Sequence, residues 1–115
     1  MTNLSKITEK IIKFREERDW EQFHKPKDMA ISLVLEAAEV LEHFQWKSNE
    51  EIDEYIKNSK NKIGEELADV LNWVILMSHD LDINILEALD DKIKKNKEKY
   101  PVEKAKGRYT KYNKL

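Results

Sequence analysis

LVLEAAEVLEHFQW, residues 33–46, spaces its apolar side chains as an amphipathic helix does, yet it carries carboxylates at Glu36 and Glu39. EELADVLNWVILM, residues 65–77, repeats the device: Glu66 and Asp69 stand three residues apart, and from Leu67 to Met77 only Asp69 and Asn72 are polar. A helix that is apolar nearly all round belongs inside a bundle or against a second subunit. Asp69 is therefore expected at least partly inside, where an unpaired carboxylate is costly. Lys62 is the only basic residue from Lys62 through Met77, so lysines of the same helix offer little compensation.

On the helix of residues 33–46, Ser32, Glu36, Glu39, Glu42 and His43 fall within an arc of about 120° at 100° per residue. Taken alone, that arc reads equally well as a solvent face. Two acidic pairs, each spaced i, i+3, can instead meet across a bundle. Four converging carboxylates form a cage for a hard divalent cation, Mg²⁺ first and Mn²⁺ second, with room for a polyphosphate as a further oxygen ligand. Glu65 stays open between a surface position and a supporting ligand.

Working outward, Leu4, Ile7, Ile11 and Phe14 mark the apolar stripe of a first helix that stops in RDWEQFHKP, residues 18–26. Asp28 is the expected N-cap of the second helix, which should run to about Trp46. Ser48 and Glu51 spell a capping box that opens a short third helix through Ile52, Tyr55 and Ile56. A fourth helix covers roughly residues 62–79. Asp82 or Asn84 caps a last one that stops at Pro101. No stretch alternates over strand length, so the expected fold is all-α: four helices in a bundle plus a short additional one, with residues 1–101 as the domain and 102–115 as a basic tail.

At 115 residues, one modest core is the limit. Hydrophobic residues at 40%, charged residues at 38% and only two glycines and two prolines describe a helical chain rather than a linker. A net charge of −2 gives no global field for nucleic acid, which is not an expected partner, although the Lys104–Lys114 tail leaves a basic-arm reading open. Having no cysteine, the chain cannot form thiolate metal sites, which leaves oxygen ligands. No signal-like apolar run opens the sequence and WVILM is too short to span a bilayer, so a soluble cytoplasmic protein is expected. The nearly all-apolar residues 67–77 call for a homo-oligomer, a dimer or a tetramer.

The aromatic residues Trp20, Phe23, Trp46 and Trp73 can stack on a flat ring or serve as ordinary core and interface residues. His24, beside Pro26 and these rings, is the histidine best placed to touch a ligand.

Taken together, LEAAEVLEHFQWK followed by IGEELADVLNWVI resembles the MazG-like all-α nucleoside triphosphate pyrophosphohydrolases. RDWEQFHKP and NKEKYP, residues 96–101, are similar to segments of the dCTP pyrophosphatase branch. The resemblance implies a Mg²⁺-dependent enzyme that converts a nucleoside triphosphate, dCTP or a modified dCTP, to the monophosphate and pyrophosphate. It implies Glu36, Glu39, Glu66 and Asp69 as metal ligands and His24 near the nucleotide. Trp20, Phe23 and Trp46 would lie around the base, and Asn96, Lys99 and Tyr100 at the triphosphate end. Leu35 and Ala37 stand where relatives often carry glycine. Trp73 stands where they often carry tyrosine, which leaves the base open: dUTP or a broad range of nucleotides are the alternatives within the class. Outside it, the alternative is a helical interaction module without catalysis.

Overall fold

Asn3 opens the first helix, its side chain accepting the Lys6 backbone N–H at 2.9 Å. In the computed structural model, which describes residues 2–115, this helix, α1, spans Leu4–Glu17. It closes in a Schellman turn: the Trp20 N–H returns to the Arg15 carbonyl and the Asp19 N–H to the Glu16 carbonyl, each at 3.1 Å. Asp19 takes the left-handed conformation this turn needs, at φ 54°, and Gln22 donates to both its carbonyl and its carboxylate. A 3-10 turn at Glu21–Phe23 then leads to α2, Pro26–Glu42.

Pro26, whose missing N–H costs nothing at a helix start, takes the first position of α2, with Lys25 as N-cap. Asp28, expected as the cap, lies three residues past it in the first turn, where its charge still favours the positive helix end. The helix stops at Glu42 rather than Trp46. The His43 and Phe44 N–H groups turn back three residues, to Val40 and Leu41, and Lys47 Nζ takes up the His43 carbonyl.

The Ser48–Glu51 capping box forms as read, both bonds at 3.2 Å. The helix it opens reaches Ser59, whose non-helical φ −126° and ψ 18° separate it from the helix that follows, so the expected third and fourth helices are both present; they join across this kink as one element, α3, Asn49–Asp80. One residue before the kink, Asn58 Nδ2 binds the Glu54 carbonyl, a local bond that competes with helix geometry. The apolar period breaks at this kink, and the break reads in sequence as two helices.

Both α1 and α2 pack against α3. Among the described residues, Met29, Ile75 and Leu76 are the buried hydrophobic side chains, and they set the distance between the helices. Arg15 is buried with them at 2% exposure. It spends both terminal nitrogens on Asp80, at 2.7 and 2.9 Å, joining the end of α1 to the end of α3. Ile31, Val34 and Leu35 on α2 and Leu67 and Leu71 on α3 stay exposed.

The chain divides into two compact units, the first ending at Asp82 and the second running from Ile83 to Leu115. In the second, Asn84, not Asp82, caps α4 (Ile85–Lys99) through the Glu87 N–H at 3.1 Å. Tyr100 leaves the helical region before Pro101 (φ −125°, ψ 67°), and a short helix, α5 (Val102–Ala105), follows inside the segment read as a tail. Among the described residues no helix is long and apolar enough to cross a membrane.

The two hydrogen bonds from Arg15 hold the Asp80 carboxyl below its usual range. A depressed acid stabilises the fold above its unfolded pKa, about 4, and loses that contribution as pH falls through its folded value. Asp80→Asn should cost on the order of 3 kcal/mol near neutral pH, since it leaves Arg15 buried and unpaired. Denaturant unfolding across pH should show the gap between wild type and variant closing below about pH 4.

Candidate active site

Met29, Ile75 and Leu76 bring one side of α2 against one side of α3, and the i, i+3 spacing aims two carboxylates from each helix at the seam. Glu36, Glu39, Glu66 and Asp69 each offer an oxygen within 4.8 Å of the others. Glu39 and Asp69 are exposed and Glu36 and Glu66 half-buried, each of the latter with an Oε2 that is buried and has no hydrogen-bond partner. Glu65 is exposed and outside the group.

Crowding of like charges shows in the titration of the inner pair. Glu66 is pushed up to about 6, first by its hydrogen-bonding approach to Glu39, then by burial and the charges of Glu39, Asp69 and Glu36. Glu36 is raised by burial first and then by Glu39 and Asp69. Two orphaned buried oxygens within an all-oxygen cluster of excess negative charge are the donor set that a hard divalent cation satisfies. The cluster can therefore coordinate such an ion.

Asp69 also borders an open cavity of about 350 Å³ between α1 and α3, together with Ile7, Lys10, Ile11, Phe14 and Asn72. Ile11, Phe14 and Asn72 line in addition a smaller, more enclosed cavity of about 80 Å³, completed by Arg15, Trp20, His24, Trp73 and Leu76. Here His24 meets Trp73 edge to face, ring centroids 5.1 Å apart, and Phe14 meets Trp20 at 5.7 Å. Burial and then the Arg15 charge lower the His24 pKa, so this imidazole is neutral at pH 7. One groove thus leads from a carboxylate of the cluster to an aromatic cavity one helical turn away.

Three of the expected ring-contacting residues, Trp20, His24 and Trp73, converge in that cavity. Phe23 and Trp46, 62% and 86% exposed, line neither cavity. Asn96, Lys99 and Tyr100 belong to the second unit, where Tyr100 meets Tyr112 edge to face and Lys99 lies over the Tyr112 ring. Sequence reading named Phe14 and Asn72 only for their place in the helical pattern and passed over Arg15 and Asp80. A signal existed for the ion pair: Ile7, Ile11 and Arg15 form one i, i+4 row and Leu76 and Asp80 another, so opposite charges extend two apolar stripes.

Residues 31–115 match the MazG-like family. The chain is 36% identical over 104 residues to dCTP pyrophosphatase 1 of Rattus norvegicus and 34% identical over 104 residues to dCTP pyrophosphatase 1 of Homo sapiens. Each alignment takes in 89% of this chain and 61% of the relative, so the chain spans about three fifths of the length of these curated relatives. The crystal structure of a pyrophosphatase from Archaeoglobus fulgidus is similar with a TM-score of 0.82 and 36% identity, covering 88% of this chain and 94% of that one.

A carboxyl whose folded pKa is raised binds more protons in the folded state, so its contribution falls as pH rises between about 4.5 and about 6. In EDTA the melting temperature should drop across this window. Mg²⁺ should restore it at pH 7.5 and have little effect at pH 4.5, where protons hold the same oxygens. Thermal unfolding with and without Mg²⁺ at the two pH values measures this; equal shifts at both would detach the metal from these acids.

Proposed function

Because this chain belongs to the MazG-like family, we propose that it hydrolyses the bond between the α and β phosphates of a nucleoside triphosphate, dCTP first among them, giving the monophosphate and pyrophosphate. The observation that carries this reading is the run from four carboxylate oxygens within 4.8 Å, past Asp69 and Asn72, to an aromatic cavity. Phosphates need a divalent cation and a base needs flat rings, and the groove offers both ends in that order. The dCTP pyrophosphatases and the archaeal pyrophosphatase named above support the same activity.

In this reading Glu36, Glu39, Glu66 and Asp69 hold Mg²⁺, with Mn²⁺ as substitute. When bound, the ion supplies charge neutralisation at the phosphates and a water of lowered pKa. The protein's share is positional. The packing of α2 on α3 keeps the four oxygens together before substrate arrives, so little reorganisation remains for the reaction itself. Trp20, His24 and Trp73 receive the base and exclude water from its edge. Asn72, shared by both cavities, stands where base and sugar join. Asn96, Lys99 and Tyr100 are assigned to the departing pyrophosphate, whose charge grows as the bridging bond breaks.

The active form is a homo-oligomer. Ile31, Val34 and Leu35 are 49%, 67% and 59% exposed and, with Ala30 and the Lys27 stem, line an apolar hollow on α2. An apolar surface of this kind fits a second copy of the chain. Phe23 and Trp46, exposed on a single chain, then serve the base pocket across that contact.

Incubation with each common nucleoside triphosphate in Mg²⁺, with pyrophosphate separated from orthophosphate, tests the reaction; release of orthophosphate only, or no turnover, sinks it. Asp69→Asn should lower turnover by at least about a hundredfold while leaving the assembly mass unchanged. Val34→Glu should reduce the mass measured by light scattering and raise the KM for dCTP. A variant of unchanged mass would remove α2 from the interface.

A further inference from the structure

Arg15 is an expensive residue to hide. Its side chain is 3% exposed, and the Asp80 carboxylate answers only its two terminal nitrogens. Nε is buried with no hydrogen-bond partner, and so is Nδ1 of His24 in the same cavity wall. A buried donor left unpaired costs about 1–3 kcal/mol, more when charged. Two such atoms around one cavity point to a ligand that completes them.

The shape of the cavity narrows the ligand. A volume of about 80 Å³ is well below the roughly 150 Å³ that accepts a benzene ring, so the cavity takes the edge of one ring and leaves the remainder in the wider groove beside Asn72. Trp20 and Trp73 supply ring surfaces for that edge. Guanidinium only donates, so the edge must present an acceptor. Because Asp80 fixes the guanidinium plane through two bonds, the direction of Nε–H is set before any ligand arrives.

We propose that Arg15 is a base-recognition residue: its Nε–H donates to the ring carbonyl oxygen of a pyrimidine whose edge enters the cavity, and Asp80 is the positioning residue that aims it. The inference rests on the nucleotide reading given above and adds to it the contact that selects a one-ring base. His24 Nδ1 makes the second contact at the same edge. In this neutral imidazole it donates or accepts according to the tautomer, so its proton sorts cytosine, with an acceptor at N3, from uracil, with a donor there. A lysine in place of Arg15 would keep the charge and lose the planar fork together with its third N–H direction.

The test uses the wild-type chain in EDTA, so that metal binding plays no part. The sequence holds three arginines, Arg15, Arg18 and Arg108, so the nitrogen-15 NMR spectrum has at most three Nε–H signals to assign. Arg18→Lys and Arg108→Lys each delete one signal and assign the third to Arg15 without disturbing the Asp80 pair. Titration with deoxycytidine should move the Arg15 signal and slow its exchange with water, leaving the other two in place, while deoxyadenosine should not move it. An Arg15 signal unmoved by deoxycytidine at its solubility limit, or moved equally by deoxyadenosine, overturns the inference. Arg15→Lys, where it folds, should raise the KM for dCTP about tenfold or more with a smaller change in kcat. Hydrolysis of dCTP by a protein whose Arg15 signal stays fixed would leave the enzymatic reading standing and remove Arg15 from it. A moving signal in a protein that hydrolyses no nucleotide would do the reverse.

Discussion

Four carboxylates crowded within 4.8 Å repel one another, and the fold must hold them there against that repulsion. The restraint is the packing of α2 on α3 through Met29, Ile75 and Leu76, residues with no chemistry of their own. Their burial fixes the separation of the two helices, and the i, i+3 spacing within each helix does the rest. Glu66 is raised first by its hydrogen bonding to Glu39 and Glu36 first by burial, with the neighbouring charges adding to both, and a proton or a divalent cation relieves that burden. The same crowding that costs the fold stability makes the cluster chemically suited to a hard divalent cation.

A second electrostatic element works in the opposite sense. Arg15 and Asp80 attract, and their bidentate contact closes the far end of the α1–α3 groove. A buried ion pair seldom adds net stability over well-packed hydrocarbon, so its presence calls for another reason. An apolar pair at these positions would supply hydrocarbon and no fixed donor beside Trp20, His24 and Trp73.

The carboxylate pairs were legible because their signal is local: polar residues recurring at helical spacing within a long apolar run mark positions that sequence alone can single out. The capping box at Ser48–Glu51 was legible for the same reason. What escaped depends on contacts between distant segments. Arg15 and Asp80 are 65 residues apart, and each taken singly looks like a charge at a helix end. The break at Ser59 was legible as a change of apolar period, whereas the joining of the two helices across it as one kinked element was not. Trp20, His24 and Trp73 were singled out individually, whereas their meeting in one cavity required the Schellman turn at Asp19 to swing the RDWEQFH segment back onto α3.

The two ends of the groove are carried by one rigid element. Asp69, Asn72, Trp73, Leu76 and Asp80 follow one another along α3 at steps of one, three or four residues, so the rise from Asp69 to Trp73 is about 6 Å and from Trp73 to Asp80 about 10 Å. A loop in either interval would let the aromatic cavity drift relative to the acids. The kink that does interrupt α3 lies at Ser59, before Glu66, outside both intervals. A strained position in the same helix therefore leaves the spacing of acids and rings untouched. Substitutions near Ser59 change how the N-terminal part of α3 is held, while the register between the acids and the rings is set by the unbroken stretch of helix from Glu66 to Asp80.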